Sequence, residues 1–314
     1  MYDDLVEFLQ ESVTPFHAAA TAESWLRAAG FTRLEEADYW NLEPGKGYYT
    51  TRNGSSVVAW RVPDHAIGGW RIVASHSDSP TWKIKTDIVE NDGCRRLSVE
   101  GYGGMIMSTW LDRPLTVGGR VIVKTEDGIE SRLVCIDRDL LVIPSLAIHF
   151  QRDINKGHTF NPQVDMQPLW GPAGSRTLTD LVAEELGVDT ADILDSDLQL
   201  VTRQAPTQIG PDGEFFMAPR IDDLECAATT LLGFLDAAAE TDSACAPVWA
   251  MLDNEEVGSS SRMGAESSYL RDVLDRIVDA IPHSGQAMHR AMANSFMLSA
   301  DNAHATHPNF PQKS

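Results

Sequence analysis

The chain has 314 residues, 43% of them hydrophobic, which is an ordinary globular fraction and enough for one large domain or two smaller ones. Its 25 Lys and Arg face 46 Asp and Glu, a formal net charge of −21, and a field of that sign repels nucleic acid and anionic membrane surfaces. The opening MYDDLVEFLQ is acidic where a secretory signal is basic, and no apolar run approaches the ~18 residues a membrane helix needs. The expectation is a cytoplasmic protein with neither nucleic-acid nor membrane partners. Cys94, Cys135, Cys226 and Cys245 form no CxxC pair and no close-spaced framework, so they suggest mostly buried thiols rather than a disulfide scaffold or a zinc-thiolate site.

Thr14 followed by Pro15 is an N-cap and first-turn pair, and Phe16, Ala19, Ala20, Trp25, Leu26 and Ala29 recur at helical spacing until Gly30 ends the helix. The strand-like stretch SSVVAWRV comes next, then a loop bearing Pro and Gly, then the apolar run Ile72 to Ala74 leading to His76. From 87 to 206 the texture changes to short β-rich segments. GGRVIVKT and IESRLVCI flank a hairpin turn at Glu126-Asp127-Gly128, and one helix, TLTDLVAEELG, ends at Gly187. Beyond Phe215 the α/β texture returns. A helix from Asp223 to about Ala238, the strand PVWAML, a helix from Tyr269 to Ala280 and the strand SFMLSA complete it. The economical reading is a discontinuous α/β domain, 1–86 with 207–314, carrying a β-rich insert over 87–206.

Three apolar runs end abruptly in metal-type ligands: IVAS before His76 and Asp78, VWAML before Asp253, Glu255 and Glu256, and FMLSA before Asp301 and His304. In open α/β sheets the functional crevice lies beyond the carboxyl ends of the strands, so such residues converge although distant in sequence. Asp222, in APRIDDLECAATT, is a fourth candidate and would serve as a bridge between two ions. Imidazole and carboxylates without thiolates suit a pair of Zn²⁺, Co²⁺ or Mn²⁺ ions, held about 3.5–4 Å apart in two-metal hydrolases. Of the adjacent Glu255 and Glu256, one can bind metal while the other takes a proton from water. His76 and Asp78, two apart on an extended segment, point the same way, which makes Asp78 a candidate to orient the imidazole. Taken singly each residue has a plainer role: a satisfied histidine, an N-cap, a solvated acidic pair, a turn cap. Their joint placement at strand ends favours the hydrolase.

The segments SHSDSP, APRIDDL, LDNEEVGSSS and SADNAHATHPN resemble the signature segments of the aspartyl aminopeptidase family, and SVTPFHAA, GYGGMIMSTWLDRPLTVGGRV and IPSLAIHFQRDIN extend the similarity over essentially the whole chain. The resemblance implies an α/β peptidase domain with a central mixed sheet flanked by helices, plus an inserted β-rich dimerisation domain. It also implies a tetrahedral dodecamer with enclosed sites and removal of N-terminal Asp or Glu from peptides. By position it makes His76 a ligand of one metal, Asp222 the bridge, Glu255 the general base, Glu256 a ligand of one metal and Asp301 a ligand of the other. His149, in the insert, is expected to reach a neighbouring subunit's site, or else to be a structural histidine at a strand end.

One departure is small: Ser77 follows His76 where the family usually has Thr. Another is larger, since family members continue well past the HPN segment whereas this chain ends HPNFPQKS. The expectation is that a final histidine ligand, closing strands and the positive group reading an acidic side chain lie in that absent part, with His304 and His307 in loop or substrate-shaping roles. Two other readings stay open, a co-catalytic metallopeptidase of different side-chain preference and a non-catalytic, oligomer-forming subunit of the same fold.

Overall fold

The structure, a computed structural model, describes residues 1–64, 67–91, 93–238, 245–281 and 285–313. It divides into two compact units, 1–79 with 220–314, and 80–219. The first begins with α1 (Tyr2–Glu11), α2 (Pro15–Ala28), β1 (Thr32–Arg33), β2 (Gly47–Arg52), β3 (Ser56–Arg61) and β4 (Gly69–His76). The second contributes β5 (Thr81–Asn91), β6 (Cys94–Tyr102), β7 (Leu115–Thr125), β8 (Gly128–Cys135), α3 (Pro162–Asp165), β9 (Leu169–Pro172), α4 (Leu178–Leu186), β10 (Ile193–Thr202), β11 (Thr207–Ile209) and β12 (Phe215–Met217). The first then resumes with α5 (Ile221–Ala238), β13 (Cys245–Leu252), α6 (Tyr269–Asp279), α7 (Ala287–Ala293) and β14 (Phe296–Ser299). Among the described residues no helix is long and apolar enough to cross a membrane.

In the first unit six strands form one mixed sheet in the order β1-β2-β3-β13-β4-β14. β13 and β14 both run parallel to β4, while β3 is antiparallel to β13. Helices cover both faces, which is why β13 reads as a nearly continuous apolar run rather than an alternating one. On one face Trp60, Trp70, Val248 and Ala250 pack against Tyr269, Val273, Leu274 and Ile277 of α6 and Ala291 of α7. On the other lie α2 and α5, and Trp249 Nε1 donates to Thr230 Oγ1 of α5 at 3.0 Å. Trp60, Trp70 and Trp249 are fully buried, so truncating any one to Ala would cost roughly 3–5 kcal/mol. α2 starts as its sequence requires, with Thr14 accepting the His17 N–H.

The second unit is built on a six-stranded sheet in the order β8-β7-β10-β5-β6-β9, with β11 and β12 forming a separate hairpin. It reaches past both ends of the β-rich stretch read from sequence texture, because β5 already begins at Thr81 and Trp82 is buried in its core with Val117, Val121 and Leu198. α4 opens with a capping box between Thr177 and Asp180 and closes with Gly187 in the left-handed region. At Gly119 the β7 backbone passes so close to β10 that a Cβ would lie 2.1 Å from Asp197 O. Large apolar side chains remain exposed on this unit, among them Ile106, Leu146, Ile148, Phe150 and Val164. The cysteines are not buried as expected: Cys94 is exposed and the other three are half-buried.

Candidate metal centre

Because β4, β13 and β14 are parallel, their carboxyl ends share one edge of the sheet, and each releases an acidic or histidine-bearing loop there. His76 is the last residue of β4, aligned with Leu252 at the end of β13. The chain then holds its register, as Ser77 N donates to Leu252 O at 2.9 Å and Ala300 N to Ala74 O at 2.7 Å. After β13, Asn254 adopts a left-handed conformation and turns the chain so that Glu255 and Glu256 open a short 3-10 turn. Asp78 fixes that turn: its Oδ1 accepts the Glu255 N–H and its Oδ2 the Glu256 N–H, each at 3.1 Å. Asp222 and Asp223 have non-helical backbone angles at the start of α5, and Ser79 Oγ donates to Asp222 O at 2.8 Å.

These loops bring His76, Asp222, Asp223 and Asp301 into one group whose ligand atoms all lie within 4.8 Å of one another. From His76 Nε2 the carboxylate oxygens stand at 3.3 Å for Asp222, 4.0 Å for Asp301, 4.0 Å for Asp223 and 3.9 Å for Glu255. On the other side of the ring, Nδ1 lies 3.1 Å from Asp78 O and 3.4 Å from Asp78 Oδ1. Two buried atoms in the group have no hydrogen-bond partner among the described residues, His76 Nε2 and Asp223 Oδ1.

The electrostatics reflect this crowding. Burial disfavours a charged His76, but the hydrogen bond to Asp78 and the charges of Asp223, Asp78 and Glu255 outweigh it and push the imidazole up to about 9. Burial, opposed by the His76 N–H, pushes Asp223 up to about 6. Burial and then the charge of Asp222 push Glu256 up to about 7. A divalent cation among these groups relieves all three at once, since it supplies the positive charge and leaves imidazole neutral to ligate. Tetrahedral ligands about 2.0–2.1 Å from an ion sit about 3.3 Å from each other, which is the Asp222 to His76 spacing, and the carboxylates farther off would have to draw in by small side-chain movements to ligate. The residues therefore fit a metal. Burial first, and then Asp223 and Glu225, push the Cys226 thiol well above its usual range.

Of the residues expected from sequence, His76, Asp222 and Asp301 come together, Asp78 lies behind the imidazole, and Glu255 faces Nε2. Glu256 stands outside the group of four, and Asp301 lies 4.0 Å from His76 Nε2. Asp223 joins the group unanticipated. The acidic doublet in RIDDL was its only sequence signal, and a helix start normally turns adjacent side chains apart. His149 is an exposed residue of the second unit. His304 and His307 are exposed, and the His307 ring packs on Phe310 at 5.2 Å.

Known proteins resemble this chain over nearly its whole length. The family described as aminopeptidase I zinc metalloprotease (M18) matches residues 8–314. A Clostridium novyi protein described as "Probable M18 family aminopeptidase 2" is 39% identical over 322 residues, covering 99% of this chain and 74% of its own length. Among solved structures, a chain of the cryo-EM structure of the Ape4 and Nbr1 complex superposes with a TM-score of 0.94 at 34% identity, covering 98% of this chain and 64% of that one. The Saccharomyces cerevisiae mApe1 dodecamer superposes with a TM-score of 0.86 at 28% identity, covering 99% and 73%.

Proposed function

Because this chain belongs to the M18 family of aminopeptidases, we propose that it removes N-terminal Asp or Glu from peptides at a centre of two divalent ions, Zn²⁺ in the first place with Co²⁺ or Mn²⁺ as substitutes. The observation that carries the reading is the buried Nε2 of His76 facing the carboxylates of Asp222, Asp223, Glu255 and Asp301 within 4.0 Å, beyond the ends of parallel strands. His76, Asp222 and Asp301 would hold one ion. Asp222 and Glu256 would hold the other, for which the described residues supply fewer groups. Bound there, such ions acidify water and polarise a scissile carbonyl.

The remaining chemistry falls to the chain. Glu255, set by the grip of Asp78 on its backbone N–H, takes the proton of the attacking water and delivers it to the leaving amine. Asp78 also holds the imidazole through Nδ1, keeping Nε2 directed at the ion. The acidic preference rests on the motif resemblance, as does the role of His149, which we assign to a neighbouring subunit's site in a homo-oligomer of the dodecameric kind seen for mApe1. The net charge of −21 is compatible with work in the cytoplasm. A panel of aminoacyl substrates tests the specificity: Asp and Glu derivatives are cleaved in preference to Leu and Lys, and the reverse order would retire the acidic preference while leaving the hydrolase.

A further inference from the structure

Of the three residues placed on the first ion, Asp301 has the backbone least supported by packing. His76 ends a strand paired on both sides, and Asp222 starts a helix packed on the sheet. Asp301 follows the edge strand β14, whose four residues are all exposed, and the last sheet bond before it is Ala300 N to Ala74 O at 2.7 Å. Past that bond a side-chain clip takes over. Asn302 Nδ2 donates to Glu225 Oε2 at 3.0 Å, an orientation that chemistry requires because an ionised carboxylate only accepts. At the other end of the same amide, Oδ1 lies 3.7 Å from Sγ of Cys226. Among the described residues these are the hydrogen bonds that tie residues 301–306 to the rest of the fold. Glu225 and Asn302 are both half-buried, and a hydrogen bond to a charged group is stronger than one between neutral groups.

On the premise of the metal centre above, we propose that Glu225 and Asn302 are positioning residues, which hold the Asp301 loop against the first turn of α5 so that Asp301 and Asp222 face the same ion. The clip sits where it can do this, since Glu225 is in the turn that follows Asp222 and Asn302 is the residue after Asp301. Neither belongs to the group of four around His76. Their effect is preorganisation: without the clip, ion binding must itself order the exposed loop, and that cost is subtracted from the affinity. A bond that merely fastened a loop to a helix would leave the affinity for metal unchanged.

Metal-stripped wild type, Asn302→Ala, Glu225→Ala, the double variant and Glu225→Gln are titrated calorimetrically with Zn²⁺ alone, and circular dichroism confirms that each is folded. The expected result is Zn²⁺ affinity about 10-fold weaker in either Ala variant, as for groups that orient metal ligands from behind. The double variant should lose no more, since either change alone breaks the clip. Glu225→Gln still offers an oxygen to Asn302 Nδ2 and should bind like wild type. Unchanged affinity in the Ala variants or additive losses in the double variant overturns the clip and spares the metal centre. So does a Gln variant as weak as Glu225→Ala, which assigns the effect to charge alone. Failure of wild type to bind Zn²⁺ overturns the centre itself. Should an Ala variant not fold, Asn302→Leu and Glu225→Leu, closer in size and equally unable to form the bond, are read by the same criteria.

Discussion

The carboxylate of Asp78 holds the backbone of Glu255 from across the sheet edge, Oδ1 accepting its N–H at 3.1 Å while Oδ2 takes that of Glu256 at the same distance. One fully buried side chain thus sets the turn that presents the two glutamates and stands 3.4 Å from the Nδ1 of His76. Asp78→Ala leaves those N–H groups unpaired at about 1–3 kcal/mol each. Turnover should fall about 10–100-fold at a folded, helical circular dichroism spectrum. Unchanged kcat would show that the turn holds itself.

The two adjacent glutamates should part company when mutated. Glu255→Gln removes the base, lowering kcat by about 10²–10⁴-fold with metal content kept, whereas Glu256→Gln should lose metal as well as activity. Metal analysis of the dialysed variants checks this, and equal loss from both would contradict the division of roles.

Gly264 guards the same loop from behind. A Cβ there would lie 2.1 Å from Ser259 O, and Ser259 N in turn bonds Asn254 O at 2.8 Å, next to Glu255. Gly264→Ala must therefore displace the loop, and kcat should drop several-fold or more while the thermal midpoint moves little. A variant with wild-type kinetics would sink this reading.

Away from the centre, burial and Arg220 lower the His17 imidazole from 6.5 to about 4. Between those values the unfolded chain binds the proton and the folded chain does not, so this residue makes stability fall as pH drops from 6.5 towards 4, with no further loss below. From pH 7 to pH 5 its share is at most about 2 kcal/mol. Urea midpoints should therefore drop more for wild type than for His17→Gln over that interval, and parallel curves would show that His17 is not the group responsible.

Self-association is expected to run through the second unit, where Phe150 is 81% exposed with Ile106, Leu146 and Ile148 exposed nearby in sequence or along the same unit. Phe150→Asp should lower the oligomer size measured by light scattering. An unchanged size would place the contact elsewhere.

Much of this centre could be read from the chain because apolar runs ending in ligands are a local signal: the VWAML and FMLSA runs are short, and the residues after each are forced to the sheet edge. Two features were hidden for physical reasons. Asp223 enters the group only because the backbone at Asp222 and Asp223 departs from helical angles, and periodicity assumes a regular helix. The grip of Asp78 depends on Asn254 being left-handed, which bends Glu255 and Glu256 back over β4, and a side chain bonded to a distant backbone leaves no pattern in sequence. Similarly, Trp82 closes the core of the second unit, although TWKIK reads as a continuation of the α/β texture before it.

The position of bound ions is the most direct test of the metal centre. Anomalous diffraction from crystals of the protein soaked in Zn²⁺ should show a strong peak about 2.0–2.2 Å from His76 Nε2 and from oxygens of Asp222 and Asp301. A second and weaker peak is expected about 3.5–4 Å away on the Glu256 side of Asp222. Ordered zinc elsewhere on the protein with no peak beside His76 would contradict the assignment of this cluster as the catalytic metal centre.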